Sequence, residues 1–519
     1  MLDTSEIETF DATAVNSART RQSLYAARKK IFPKRASGQF RRFKWLVMLV
    51  TLGIYYITPW VRWDRGPYAP DQAVLVDLAN RRFYFFFIEI WPQEFYFVAG
   101  LLIMAGFGLF LVTSTVGRAW CGYTCPQTVW VDLFLVVERA IEGDRNARIK
   151  LDAAPWSFDK LTKRVSKHAI WLAIAVATGG AWIFYFADAP SLLRDLFTGH
   201  AASVAYMTVA VLTGTTYVFG GLMREQVCTY MCPWPRIQAA MLDENSLTVT
   251  YNDWRGEPRN RGAKKAAAAG QSVGDCVDCN ACVAVCPMGI DIRDGQQLEC
   301  ITCALCIDAC DSVMDKIGKD RGLIAYATLA EYESNMALAT AGGTSAIDPK
   351  KVRDDNGKLS DKVVTFHWKK LLRPRAVIYF AAWSLVGLAL VYALMTRDRL
   401  QVNVLADRNP QFVVLSDGSI RNGYTVKLLN MIPEPRTITV SLDGLPGAEL
   451  SVVGMDQTTA RSFEVEADPD QLTTLKVFVR QPRADVAGQT QHFTFIVEDK
   501  AGTESDRYDA TFDAPETRR

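Results

Sequence analysis

Histidine is scarce in this chain, with four in 519 residues: His168, His200, His367 and His492. His168 and His200 fall at opposite ends of the apolar stretches they adjoin, so a bis-histidine haem across a membrane is not expected and both read as interface residues. A C-x-x-C-H haem attachment motif is missing. No G-x-G-x-x-G follows a strand pattern, so no dinucleotide or flavin fold is signalled. Gly106-Phe107-Gly108 lies inside an apolar stretch and reads as helix packing. Excess charge is missing too. The 58 Lys and Arg residues against 56 Asp and Glu leave +2, which gives no ground for a nucleic-acid partner. Cysteine is absent after residue 310, so the C-terminal part cannot rest on disulfides.

What the chain has instead is cysteine in strict order. Its twelve cysteines form two runs of four and two short pairs. Cys276, Cys279, Cys282 and Cys286 read C-x2-C-x2-C-x3-C, with Pro287 next, and Cys300, Cys303, Cys306 and Cys310 repeat the spacing. This is the ligand pattern of a bacterial ferredoxin with two [4Fe–4S] clusters, in which the fourth cysteine of each run serves the other run's cluster. One cluster is expected on Cys276, Cys279, Cys282 and Cys310, the other on Cys300, Cys303, Cys306 and Cys286. A single run could bind zinc or nothing; two in tandem weigh against structural zinc or disulfides. Asp311 stands where the ferredoxin pattern has proline, which is expected to loosen the turn after Cys310 without removing the ligand. Thiols that ligate iron must stay reduced, which favours the cytoplasm.

Five stretches approach the length of about 20 residues that a spanning helix needs: 45–61, 95–116, 170–187, 203–223 and 376–395. More than forty residues, many of them basic, precede the first. That is unlike a cleavable signal peptide, so this segment is expected to stay as an anchor. A sixth run, 83–91, is too short to cross and reads as a re-entrant or interfacial aromatic piece; Phe83 to Phe87 read as an interfacial belt. Lys and Arg crowd the N-terminal arm, the connection after the second span and the approach to the fifth. The bias places the N-terminus and the cysteine runs inside and the C-terminus outside. Residues 261–271 read as a basic, alanine-rich linker, 323–340 as a helix ended by Gly342 and Gly343, and 348–361 as loops. From residue 400 onward, short alternating runs at 412–415, 424–430, 436–442, 475–479 and 492–497 indicate a small β-sandwich.

The remaining cysteines form an internal repeat. Cys121-Gly122-Tyr123-Thr124-Cys125-Pro126 follows the second span and Cys228-Thr229-Tyr230-Met231-Cys232-Pro233 the fourth. Both read C-x-Y-x-C-P, so the first four spans look like a duplicated hairpin. Residues four apart share a helix face, so each motif offers two sulfurs, and the proline is expected to kink or end the helix. Three readings compete: one soft-metal site for Cu(I) or an iron–sulfur centre, a pair of dithiol–disulfide couples, or buried packing cysteines.

Taken together, these features resemble the FixG/CcoG/RdxA proteins, cytochrome c oxidase accessory proteins of bacteria. The likeness is carried by Trp120 to Pro126, Met231 to Arg236, Glu299 to Cys306 and Asp417 to Asn422. It implies a multidomain membrane protein of the bacterial inner membrane: a five-helix transmembrane bundle with an inserted two-cluster ferredoxin-like domain and a C-terminal Ig-like β-sandwich. The expected parts are an N-terminal arm (1–44), four spans (45–232), the cytoplasmic cluster domain (233–374), a fifth span (375–396) and a periplasmic sandwich (400–519). The resemblance further implies cupric reductase activity at Cys121, Cys125, Cys228 and Cys232 in the assembly of a cbb-type oxidase. Expected partners are the membrane, oxidase assembly components, copper-handling proteins and an unidentified electron donor, with a homodimer left open. A quinol-linked relay to a periplasmic reductase and a non-enzymatic scaffold or redox sensor are the alternatives.

Overall fold

The computed structural model describes residues 30–515, apart from 271, 341–346, 355–357, 367–371, 456–459 and 503. In chain order the elements begin with α1 (Gln39–Ile57) and a small antiparallel sheet of β1 (Val74–Asp77), β2 (Arg82–Phe85) and β3 (Ile88–Ile90). They continue with α2 (Tyr96–Val116), α3 (Pro126–Glu142), α4 (Arg145–Ala153), α5 (Phe158–Thr178), α6 (Ala189–Thr198), α7 (Ser203–Thr216) and α8 (Trp234–Met241). The cysteine runs follow among β4 (Thr248–Tyr251), α9 (Ala281–Val285), α10 (Leu305–Ile317) and β5 (Ile324–Ala327). Then come α11 (Leu329–Thr340) and α12 (Pro374–Met395).

Among the described residues, five helical stretches are long and apolar enough to cross a membrane: Gln39–Trp60, Pro92–Val116, Phe158–Tyr185, Ser203–Met223 and Pro374–Met395. Polar contacts at their ends decide which ends share a side. At the start of α1 the Asp308 carboxylate of α10 accepts the backbone N–H groups of Phe40 and Arg41, at 3.2 and 2.7 Å. These helix-start donors have no partner within their own helix, and an anion there is favoured. Beyond the other end of α2, Arg118 donates to the carbonyl oxygens of Leu298 and Cys300. At the start of α12, Arg373 meets Asp243 and the Ser114 carbonyl. At its far end Arg397 pairs with Glu94 at 3.1 Å. The cysteine runs therefore sit on one side of the bundle and the C-terminal domain on the other. α2 and α12 pack antiparallel, with Gly100 beneath Leu390 and Gly108 beside Trp383.

Burial raises the Asp243 carboxyl, but hydrogen bonds from Arg373, Asn245 and Ser246 outweigh it and hold the group below its usual range. A depressed carboxyl stabilises the fold above its unfolded pKa of about 3.9. That contribution fades as pH falls through the folded value. Thermal melts from pH 6 down to about pH 3 should lose stability more steeply in the wild type than in Asp243→Asn; parallel pH profiles would overturn the assignment.

The C-terminal domain stacks two antiparallel sheets. One orders β10 (Glu449–Val452), β12 (Leu472–Gln481), β8 (Ile420–Asn430) and β6 (Leu400–Ala406), with β7 (Val413–Val414) on β8. The other orders β11 (Ser462–Ala467), β9 (Arg436–Asp443), β13 (Thr490–Asp499) and β14 (Ser505–Asp513). Alternate residues of both sheets form the core, with Tyr424, Phe493 and Phe495 in mutual ring contact.

Several expectations need correction. Residues 83–91 are not one continuous piece but a hairpin. They form β2 and β3, and Trp91 at their end packs on Leu429 and Met431 of the sandwich side. The stretch 323–340 begins as a strand, β5 paired with β4, and turns helical only at Leu329; Gly342 and Gly343 lie outside the described residues. The linker 261–271 contains a short helix, Ala263–Ala268. Asp311 loosens no turn: with no proline to stop it, α10 runs on through Asp311 to Ile317, and the Asp311 carboxylate accepts the Gly322 N–H at 3.0 Å.

Candidate functional site

The two cysteine runs adopt the same backbone. The second residue after the first cysteine is left-handed in each, Asp278 with φ 50° and Thr302 with φ 55°. The fourth is left-handed in each too, Asn280 with φ 56° and Ala304 with φ 59°. Non-glycine residues take this conformation at a cost. Repeated twice at equivalent positions, it wraps each loop around a centre. Such alternation also turns successive N–H groups inward and forms anion-binding hollows of the kind seen around iron–sulfur groups.

Two cavities result. Cys276, Cys279, Cys282 and Cys310 line one, walled by Tyr251 and Met314. Cys286, Cys300, Cys303 and Cys306 line the other, with Cys282 at the shared wall. The fourth cysteine of each run thus faces the other run's cavity. Burial and neighbouring thiols push Cys286 and Cys310 up to about 12. Burial pushes Cys282 and Cys300 up to about 11. A buried ring of sulfurs resists ionising alone, and bound iron cations reverse that penalty. Among the described residues, no three His, Cys, Asp or Glu side chains are grouped to hold a single metal ion. A cubane spreads its four thiolates over a wider tetrahedron than one ion does, so the eight cysteines fit a pair of cubanes.

The membrane-edge pairs differ from the expected helical ladder. Trp120–Thr124 and Val227–Met231 are π-helical turns, a rare form that recurs at functional sites. The first turn ends at Thr124 with Cys125 as its cap, so the helix does break before Pro126, and Pro126 then opens α3, as proline at a first helical position can. Burial, with Cys125 and Cys228 next, pushes Cys121 up to about 12. Burial, with Cys125 and Cys232 next, does the same to Cys228. Cys121 therefore lies within electrostatic reach of the other three, and Cys228 within reach of Cys125 and Cys232.

The two copies are not equivalent. The first is docked on the second cysteine run. A Cβ on Gly122 would come within 2.7 Å of the Ile301 carbonyl oxygen and 3.1 Å of Cys303 Cα, so only glycine admits that approach. Tyr123 is 5% exposed, and its hydroxyl lies 3.4 Å from the Cys303 carbonyl oxygen and 3.3 Å from the Tyr326 hydroxyl. The Cys121 thiol donates to Gln238 Oε1 at 3.1 Å. The corresponding Tyr230 of the second copy is 55% exposed. Sequence reading missed Gly122, Arg118 and Gln238, because their partners lie over a hundred residues away. His168 meets the Tyr217 hydroxyl at 2.8 Å and His200 meets Thr198, which puts neither near a cysteine. His367 lies outside the described residues.

A bundle of apolar spans carrying two cavities each lined by four cysteines of the crossed runs, and an Ig-like domain, defines a membrane-associated iron–sulfur electron-transfer protein. Family models match in three places: a 4Fe-4S dicluster domain at residues 223–329, a 4Fe-4S binding domain at 97–142 and the Ig-like fold at the C-terminus of FixG at 390–515. The second match includes Cys121 and Cys125. The chain is 70% identical to nitrogen fixation protein FixG of Rhizobium meliloti, over 98% of this chain and 97% of that protein. It is 53% identical to protein RdxB and 51% to protein RdxA of Cereibacter sphaeroides, over 94% and 93% of this chain and 97% and 96% of those proteins. The chain belongs to the FixG/RdxA/RdxB family of membrane-associated iron–sulfur redox proteins.

Proposed function

We propose that this protein reduces Cu(II) to Cu(I) at Cys121, Cys125, Cys228 and Cys232 and so serves the assembly of a cbb-type cytochrome c oxidase. The observation that carries this reading is the seating of the Ile301–Cys303 backbone on Gly122, which joins the second cysteine run to a membrane-edge thiol pair. The two cubanes supply one-electron storage. Cu(II) held at the paired thiols takes one electron and becomes Cu(I), the state that soft sulfur ligands favour. The donor that refills the protein is a separate reductant. The test is anaerobic: pre-reduced protein is mixed with Cu(II), and Cu(I) is read with a chromogenic chelator. Failure of the iron-loaded protein to form Cu(I) would remove the copper reading.

The ligand sets follow the cavities. Cys276, Cys279, Cys282 and Cys310 hold one cubane, and Cys300, Cys303, Cys306 and Cys286 hold the other. In Cys286→Ser, electron paramagnetic resonance should show the second-run cluster damaged and the first-run cluster retained. Loss confined to the first-run cluster would refute the crossed arrangement. The basic bias puts the cubanes and the N-terminus in the cytoplasm and the sandwich in the periplasm. A reporter fused after Arg519 should be active only outside, and activity confined to the cytoplasm would invert this topology.

A second reading is a quinol-linked relay. It is favoured by an apolar cavity among the spans, lined by Tyr55, Trp130 and Trp182 and by Thr124 and Pro126, the two neighbours of Cys125. Bleaching of the cubane absorbance by a quinol, which is oxidised to the quinone as the clusters take up its electrons, with no Cu(I) formed from Cu(II), would favour it.

A further inference from the structure

Beside the start of the first span lies a basic cavity of about 470 Å³. Arg35, Arg41, Arg42 and Arg139 line it, with Trp45 of α1 and Val136 of α3; among the described residues no carboxylate does. Two of the four arginines are already engaged. Arg41 Nη1 reaches both Asp132 oxygens at 2.9 Å, and Lys44 shares that carboxylate at 3.1 Å. Arg139 donates to the Pro33 and Lys34 carbonyl oxygens, at 3.5 and 3.4 Å. These two supply charge and no spare donor. Arg35 and Arg42 differ. Both are exposed, and among the described residues their guanidiniums meet no carboxylate. The other carboxylates nearby accept backbone N–H groups instead: Asp144 from Arg35 at 3.0 Å, and Asp308 from Phe40 and Arg41. Arg35, Arg41, Arg42, Lys44 and Arg139 outnumber Asp132, Asp144 and Asp308, so the cavity is positive and has open donors at its mouth.

The setting indicates what those donors meet. The helical stretch Gln39–Trp60 has 22 residues, about 33 Å of helix, against a hydrocarbon core of about 30 Å. About two residues are left over, so Arg41 and Arg42 fall near the hydrocarbon boundary, where headgroups lie. Trp45, one turn on, is the kind of aromatic that sits at that level. Residues three, four and seven apart share a helix face, which puts Arg42, Trp45, Leu46 and Leu49 on one stripe of α1. Leu46 is 57% exposed and Leu49 71%. The stripe leads from a free cation to bare apolar surface within two helical turns. That matches a molecule with an anionic head and a hydrocarbon tail, whereas a soluble anion would leave the apolar part unused. Basic pockets beside spans are a recurrent form of lipid recognition.

We propose that this cavity binds the phosphate headgroup of an anionic phospholipid, with phosphate oxygens accepting from the Arg35 and Arg42 guanidiniums and acyl chains lying along Trp45, Leu46 and Leu49. The cavity wall is also the strap that ties α1 to the cysteine runs. The Lys34 N–H donates to the Ala284 carbonyl oxygen at 2.7 Å, and Ala36 packs with Val285, Ile301 and Leu305. A lipid bound here steadies the seat of the second run. The proposal rests on the membrane reading of the spans and not on the copper chemistry.

The experiment uses the iron-loaded, delipidated full-length protein in detergent, with native mass spectrometry for bound lipid and thermal melts for its effect. Phosphatidylglycerol should be retained as a stoichiometric adduct and raise the melting temperature. Phosphatidylcholine and inorganic phosphate at equal concentration should do neither. Arg35→Gln and Arg42→Gln should each weaken phosphatidylglycerol binding about fivefold, the worth of one cation at an anionic surface. Both side chains are exposed, so the lipid-free variants should melt as the wild type does. Lys316→Gln, which removes an exposed cation near the end of α10, is the control and should bind the lipid undiminished. Equal binding of phosphatidylcholine would reduce the site to acyl contacts and overturn the proposal. So would an equal effect of inorganic phosphate, which would make it a site for soluble anions. Weakening by Lys316→Gln equal to that of the arginine variants would reduce the effect to net charge and overturn it as well. Phosphatidylglycerol binding unchanged in both arginine variants would place the lipid elsewhere.

Discussion

A Cys121→Ser, Cys125→Ser double variant, iron-loaded and reduced under argon, is expected to leave Cu(II) unreduced while the absorbance of both cubanes stays intact. The two thiols lie at a π-helical turn and not in the cubane cavities, so their loss removes no cubane ligand. Serine nearly preserves size and hydrogen bonding but not softness, and Cu(I) loses the ligand it prefers. Cys228→Ser with Cys232→Ser should behave the same way. All four changes together should add little if, as proposed, the two pairs form a single site. A wild-type rate of Cu(I) formation in either double variant would return these cysteines to helix packing.

The second large effect is expected at a residue with no chemistry of its own. Gly122→Val places a branched side chain where a single Cβ already meets Ile301 O and Cys303 Cα. Backbone cannot swing aside as a long side chain can, so the second-run loop must shift. Overpacking of this kind costs about 1–3 kcal/mol. The expected signature is selective: an altered spectrum for the second-run cluster, a first-run cluster unchanged, and Cu(I) formation slowed severalfold or more. Gly106→Val is the control, since a Cβ there meets nothing within 4 Å. Equal behaviour of the two variants would show that the seating of Gly122 does not matter for electron delivery.

The parts of the fold legible in the sequence were those written locally. A spanning helix is a long apolar run, and a ferredoxin loop is a fixed cysteine spacing, and each needs only its own residues. Strands were legible where apolar residues dominate, as in β8 and β13. They were missed where charge fills the outward positions. Ser462–Ala467 alternates exposed and buried without a break, but its outward Glu464 and Glu466 mask the pattern. β14 is hidden the same way by its outward Arg507 and Asp509. At the site, the sulfurs were legible and their surroundings were not. Gly122 matters because of a loop some 180 residues onward, and nothing in C-G-Y-T-C announces that contact. Pro126 was legible by half. A proline after a helix reads as a stop, which holds for the π-helical turn before it, but nothing in the motif announces that α3 starts at the same residue.

One contact at the far side of the bundle bears on how the protein transmits force. α2 is 21 residues long, a rod of about 32 Å. Its base is gripped by the sandwich side through Glu94 and Arg397, and its tip runs into the turn that holds Cys121. α12 lies against it antiparallel and joins the sandwich directly, so the two helices form a strut rather than a tether. The thiol turn and the β-sandwich are therefore in mechanical series. A protein that docks on the sandwich would therefore press on the same two helices that lead to the Cys121 turn.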